Sequence, residues 1–338
     1  MAEMMPSGPG YRRVLVVELL GGIGDLVMVL PAVHALARSH PGAEVTVLTY
    51  RPGADLLVTD PAVQHLRTPR HGRSGAAREA VAEALAAVPP DLAVTTTRYD
   101  AIPALLEASG ARCVTDLWRC PPPDEPIGRR YLRILRDEGL VDAATPGSRP
   151  RVHLTSAELA EGEQVLQAHL PAGGARPVLL VTDAGMAVKR WPDRHWEDLV
   201  AALAGRGHPL LALAPVPYAG HLPATDLRGL AAVLAAVGRR GGVVVGGDTG
   251  PVRLASAVGA AVVVLFGPTL AGRYGVEATD ATNLQGLPDC PHRRPASVTE
   301  QVCWWHAHCP IAAEPACLAA LAPDAVVAAV DVVGEGEG

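Results

Sequence analysis

The sequence predicts an α/β protein of two Rossmann-like, doubly wound domains with a cleft between them, and three observations carry that reading. Short apolar runs suited to buried parallel strands alternate with helical stretches in both halves of the chain. Hydrophobic residues make up 49% of the sequence but Phe occurs once, so the cores must be built from Ala, Val and Leu, which suits strands covered by helices on both faces. At 338 residues there is length for two domains of ordinary size.

Taken in order, the first strong element is residues 13–20, RVLVVELL, a continuous apolar run with one acid. It breaks into Gly21-Gly22-Ile23-Gly24-Asp25, after which helical spacing continues to about residue 39, with Pro31 expected to kink that helix rather than end it. Further strands are expected at 44–50 and 92–97, and helices at 76–88 and 102–108. Clusters of Pro, Gly and Ser at 121–126 and 143–151 interrupt the pattern and place a domain boundary near 148, giving domains 11–148 and 149–333. The second half restarts with strands at 178–182, 210–214, 242–245 and 261–266, and with helices over 191–204, over 226–237 and from Pro251.

Charge and composition narrow the function. A net charge of −6 leaves no electrostatic footprint for nucleic acid. There is no run of 18 uncharged apolar residues to span a membrane. The N-terminus MAEMMPSGPGYRR lacks the basic start, apolar stretch and cleavage site of a secretory signal, so a cytoplasmic enzyme is expected. In that setting six cysteines do not read as a disulfide framework.

Two glycine-rich loops fall between a strand and a helix, where backbone N–H groups and the helix dipole favour anions. The first is not a dinucleotide fingerprint: counting from Gly22 and Gly24, the third glycine position is Val27, and the next strand ends in Thr49-Tyr50-Arg51 with no acid for a ribose. Asp25 in this loop can be a helix cap or a general base, and a carboxylate at a helix N-terminus tends towards a lowered pKa. The second loop is Gly246-Gly247-Asp248-Thr249-Gly250-Pro251-Val252-Arg253-Leu254-Ala255, with Pro251 at the expected first helical position. Its bland reading is a tight β–α turn capped by Asp or Thr. Its functional reading is a diphosphate site.

These segments together resemble the ADP-heptose:lipopolysaccharide heptosyltransferase family. The GDTGPVRLA loop followed by the strand 262–266 and Gly267-Pro268-Thr269 is similar to the family's donor-site signature, GGIGDLVMVLPAVHALARSHPGAEVTVLT to its opening, and Lys189-Arg190-Trp191-Pro192 to its K-x-W-P segment. Three ordered motifs over roughly residues 12–330 are far more specific than any one loop. The resemblance implies a B-type glycosyltransferase fold, with the acceptor on the first domain and a nucleotide-diphosphate sugar, ADP-linked, on the second. It implies metal-independent chemistry that inverts the anomeric carbon, with no cofactor required. By matching position, Asp25 would be the base on the acceptor hydroxyl of a glycan or natural product. Gly22, Gly24, Thr182, Lys189, Asp248, Thr249, Gly250 and Arg253 would make up the donor and phosphate set.

Two departures stand out. The family usually has His where this chain has Arg253, a fixed planar cation that can grip phosphate or carboxylate, or else a solvated helix-face residue. Between Leu213 and Asp226, where the family draws nucleobase and sugar contacts, this chain is short. Cys290, Cys303, Cys309 and Cys317 match a cysteine-rich segment of the family (290–317), which in the subgroup modifying autotransporters binds iron. They are candidate ligands for a structural zinc or iron, or else buried free thiols. A nucleotide-sugar epimerase and a non-catalytic nucleotide-sugar-binding protein are the competing functions.

Overall fold

The computed structural model describes residues 10–70, 72–119, 122, 124–144, 149–170, 176–217, 219–223 and 225–333, and the boundary expected near 148 lies outside them. The chain divides into two compact units, Met1–Cys120 with Gly128–His153, and Pro121–Ile127 with Leu154–Gly338.

In the first unit the elements are β1 (Arg13–Glu18), α1 (Ile23–Ser39), β2 (Glu44–Thr49), β3 (His65–Arg67), α2 (Ala76–Ala87), β4 (Leu92–Thr95), α3 (Ile102–Glu107), β5 (Arg112–Val114) and α4 (Ile127–Asp137). The five strands form one parallel sheet in the order β3-β2-β1-β4-β5. Leu15, Val17, Leu48, Val81, Ala93 and Ile102 pack one face of its core, small aliphatics as the composition requires. Helix α1 runs through Pro31 without ending, and it buries the side of the chain that carries Leu26, Leu30 and Val33. The strand expected to reach residue 97 stops at Thr95, where side-chain hydroxyls replace the ladder: Thr95 Oγ1 donates to the Val17 carbonyl (2.9 Å) and accepts from the Thr97 N–H (2.9 Å).

The second unit holds α5 (Ser156–His169), β6 (Val178–Val181), α6 (Asp193–Gly205), β7 (Leu210–Ala212), β8 (Gly220–His221), α7 (Leu227–Arg239), β9 (Val243–Gly247), α8 (Gly250–Ala257), β10 (Ala261–Phe266), α9 (Ala271–Tyr274), β11 (Ala281–Gln285), α10 (Ala316–Ala319) and α11 (Pro323–Val333). Its six strands are again parallel, in the order β11-β10-β9-β6-β7-β8. The helix expected from Trp191 begins at Asp193, because Pro192 takes an extended backbone (ψ 138°) as its N-cap, while Trp191 is buried edge-on against Trp196 (4.8 Å). α8 begins one residue earlier than expected, at Gly250. α5 was not anticipated, although Thr155-Ser156-Ala157-Glu158 forms a complete capping box: Thr155 Oγ1 accepts from the Glu158 N–H (3.2 Å) and Glu158 accepts from the Thr155 N–H (2.7 Å).

Each sheet changes direction of winding once, between β1 and β4 in the first unit and between β6 and β9 in the second. In open parallel sheets ligands bind beyond the carboxyl ends of the strands at such a switch point. Both glycine-rich loops sit there. The helix layer of the second unit is tightest where α5 crosses α7: a Cβ on Gly162 would lie 2.3 Å from the Ala232 carbonyl carbon and oxygen, backbone atoms that cannot swing away. Gly162→Ala should therefore destabilise the protein by about 1–3 kcal/mol, the cost of overpacking. Thermal denaturation checks this; an unchanged midpoint would show that the two helices have slack.

Candidate active site

In the second unit the site is built around one buried carboxylate. β9 delivers Asp248 to the switch point, and Gly246 lets it do so: a Cβ there would come within 2.8 Å of Val181 Cβ and 2.9 Å of the Val181 carbonyl oxygen. Asp248 is 6% exposed, and every approach to it is occupied. Lys189 Nζ donates to its Oδ2 (3.0 Å) and to its backbone carbonyl (3.1 Å). Thr269 Oγ1 donates to Oδ2 (2.9 Å), and Arg253 donates to Oδ1 (2.5 Å) and to the Tyr274 carbonyl. Burial alone would raise this carboxyl, but the charges of Arg253 and Lys189 and their hydrogen bonds outweigh it and hold Asp248 well below the usual carboxylate range. Two cations surround one anion, so this cluster of three carries a surplus positive charge.

That surplus is presented at Lys189, whose side chain is 19% exposed while that of Arg253 is 8% exposed. The indole of Trp304 lies over Lys189 Nζ at 5.3 Å, a cation–π contact from the cysteine-rich segment that nothing in the sequence motifs pointed to. Arg253 is therefore not a solvated helix-face residue; it is a brace between Asp248 and the Tyr274 carbonyl. Beside the cluster, Thr249 is the N-cap of α8 and Gly250 its first residue. The Thr249 hydroxyl is buried and makes no hydrogen bond among the described residues. An orphaned donor costs free energy unless a ligand uses it, and here it lies at a helix N-terminus, where anions are favoured. Thr182 is half-buried one residue beyond β6. Further along the same unit, a pocket of about 360 Å³ opens between α5, α7 and the 213–226 segment, lined by Leu213, Leu222, Thr225, Asp226, Arg228 and Glu158 among others.

The four C-terminal cysteines converge. Cys290, Cys303, Cys309 and Cys317 all line one small cavity of about 20 Å³ with Arg293 and His292. Burial pushes the Cys317 thiol up to about 11 and also raises Cys303, whereas Cys309 is lowered: burial opposes this, but the N–H groups of Ala316, Ile311 and Ala312 outweigh it. Among the described residues no three of these thiols lie within 4.8 Å of one another.

In the first unit Asp25 is the third residue of α1. The helix cap is Gly22, so the capping reading of Asp25 does not hold; the carboxylate folds back over Gly22, where a Cβ would meet its Oδ2 at 2.4 Å. Gly21 before it has φ +92°, which a side chain would strain. Gly24 is the second residue of the helix. Around this loop stand groups the motif reading did not single out. Glu18, the one acid of the first strand, is 1% exposed and accepts from the Leu20 N–H (2.9 Å) and the Thr49 hydroxyl (3.2 Å). The Leu19 N–H donates to Thr97 Oγ1 (2.8 Å), the Tyr99 hydroxyl donates to the Leu19 carbonyl, and Tyr99 meets Tyr50 hydroxyl to hydroxyl at 3.3 Å. Burial, then the charge of Asp25, push Glu18 up to about 8. An acid inside an otherwise apolar strand was the sequence signal for it.

Two parallel doubly wound units, each with a glycine-rich loop at its switch point, have the fold of B-type glycosyltransferases. The chain belongs to glycosyltransferase family 9, the heptosyltransferase family, whose model matches residues 107–301. It is similar in structure to the family 9 glycosyl transferase of Veillonella parvula DSM 2008, at 15% identity over 97% of this chain and 98% of that one, with a TM-score of 0.76. It is also similar to E. coli heptosyltransferase WaaC, solved with ADP and with ADP-2-deoxy-2-fluoro heptose; the ADP form is 19% identical over 95% and 99% of the chains, with a TM-score of 0.66. The iron-containing dodecameric glycosyltransferase TibC of enterotoxigenic E. coli matches at 16% identity over 96% of this chain and 76% of that chain, with a TM-score of 0.63. At these identities the likeness establishes the fold. No curated protein sequence matches the chain. Nothing in these comparisons supports an epimerase, and the chain is a glycosyltransferase by family. Among the described residues no helix is long and apolar enough to cross a membrane.

The raised Glu18 carboxyl makes stability depend on pH with a definite sign. Its proton is held up to about pH 8 in the folded chain but lost near its ordinary value of 4.5 when unfolded. The contribution is therefore fully present below the unfolded value and is lost as pH rises towards the folded one. Glu18→Gln should stay folded and lose less stability than wild type between about pH 5 and pH 8. Parallel melting-temperature profiles of the two proteins would refute the assignment.

Proposed function

We propose that this glycosyltransferase moves a heptose-like sugar, with inversion, from an ADP-linked diphosphate donor to a hydroxyl of a glycan or natural-product acceptor. The observation that carries the reading is the Asp248 cluster, with its surplus charge at Lys189 and a Thr249 hydroxyl at the start of α8 that has no partner among the described residues. A departing diphosphate gains negative charge, and donors fixed in advance at that point lower the barrier most. In this reading Lys189 meets the phosphates directly, and Thr249, Gly250 and Thr182 supply hydroxyl and backbone donors. Asp248 and Arg253 hold Lys189 in place. Gly22 and Gly24 bring the α1 terminus close to the reactants, and Asp25 accepts the proton of the acceptor hydroxyl. The pocket lined by Leu213, Leu222 and Thr225 is of a size for the nucleobase. A cytoplasmic location, expected from the sequence, belongs to the same proposal.

The chemistry needs no cofactor. The four cysteines fit zinc or iron by kind, and Cys309 sits among N–H groups that favour its thiolate. Cys290, Cys303, Cys309 and Cys317 would hold such an ion after drawing inward, since it requires closer thiols than those present. Its role would be to fix the segment that carries Trp304.

Lys189→Ala should weaken ADP binding by about 1.5–3 kcal/mol, the worth of a charge-assisted contact. Calorimetry giving unchanged affinity would reduce Lys189 to a structural partner of Asp248. Asp25→Asn should keep ADP affinity and cut turnover at least about a hundredfold; near-normal turnover in the folded variant would remove Asp25 as the base.

A further inference from the structure

Away from both loops, three metal-ligating side chains from separate segments of the first unit converge. His34 comes from α1, Asp60 from the turn that follows residues 53–57, and His153 from the end of the unit, just before α5. One ligand atom from each lies within 4.8 Å of the other two. His34 Nε2 and Asp60 Oδ2 are 2.8 Å apart with both side chains buried, and the two imidazole rings stand edge to face at 5.9 Å. Backbone geometry holds the group together. Asp60 Oδ1 accepts from the Ala62 N–H (2.9 Å), and the Thr59 hydroxyl donates to the His153 carbonyl (2.6 Å).

We propose that His34, Asp60 and His153 form a binding site for a divalent transition-metal ion of the zinc class, independent of the cysteine segment and of glycosyl transfer. Two imidazoles and one carboxylate are a usual zinc set with a fourth position for water, and His153 is half-buried where the other two are buried. Calcium and magnesium favour oxygen ligands and fit it poorly. A buried carboxylate hydrogen-bonded to one imidazole is already satisfied without a metal. The second imidazole, within ligand distance of both, adds what a metal requires and a pair does not. Bonds of roughly 2.0–2.2 Å set tetrahedral ligand separations near 3.4 Å, so His34 and Asp60 would part by about half an ångström and His153 would close by up to roughly 1.5 Å. Because α1 carries Asp25 at its start and His34 nine residues later, the ion ties the catalytic helix to the segment that leaves the unit.

Cobalt(II) is the probe, since thiolate ligation adds charge-transfer absorption that imidazole and carboxylate do not. Chelator-treated full-length protein titrated with Co²⁺ should show visible d–d bands without matching thiolate charge transfer, reversed by Zn²⁺, and Zn²⁺ should raise the melting temperature. His153→Ala should lose at least about tenfold in Co²⁺ affinity at this site while any thiolate bands persist. Should that variant fold poorly, Asp60→Asn, which keeps shape but not charge, should show the same loss. A spectrum containing only thiolate-linked bands, no Co²⁺ uptake, or uptake unaffected in both variants would overturn the proposal.

Discussion

The loops at the switch point of the second unit depend on ionised Asp248 remaining buried. Desolvating a lone carboxylate costs several kcal/mol, and the cost is met here by two cations, a hydroxyl and close geometry rather than by water. Each partner comes from a different place: Lys189 from the turn after β6, Arg253 from α8, Thr269 from the loop after β10. The carboxylate thus fixes three loops relative to one another at the switch point of a six-stranded sheet. It makes the loops a preformed surface, which is what electrostatic catalysis requires. Lys189 is further limited by Trp304 above it, so the last stretch of the chain completes a site whose motifs lie far upstream.

Much of this was legible in sequence because two periodicities and two glycine loops carry it. Runs such as 14–17 and 261–266 are apolar throughout, and only strands covered on both faces need that. Pairing order was not legible, since a strand such as β11, Ala-Thr-Asn-Leu-Gln, is half-buried and polar and carries no run to detect. α5 was missed despite its capping box, because its core face is little more than Gly162 and Leu166 and gives no apolar stripe. Strand and helix ends shifted where side-chain hydrogen bonds took over from the ladder, as at Thr95, or where the backbone is extended, as at Pro192.

At the site, proximity to the loop was readable and orientation was not. Position three after Gly250 put Arg253 on the first turn of α8, but whether its guanidinium faces solvent, ligand or Asp248 depends on Tyr274, which is 21 residues away. Asp25 illustrates the reverse: its place in the motif was clear, while the identity of the capping residue required the backbone angles of Gly22. Trp304 and Glu18 act through tertiary contacts, one across the cysteine segment and one across two strand ends; a lone acid in an apolar strand marks Glu18, while no local motif announces Trp304.

The Arg253 brace has a consequence for how this lineage can vary. The guanidinium spans from the Asp248 carboxylate to the Tyr274 carbonyl, a reach that a shorter imidazole, the residue that the resemblance implies there, does not match. Exchanging one for the other in isolation strands a carbonyl and loosens the carboxylate. Arg253 and the path of the 267–275 loop are therefore fitted to each other. Among related chains, the residue at this position should covary with the length and path of that loop.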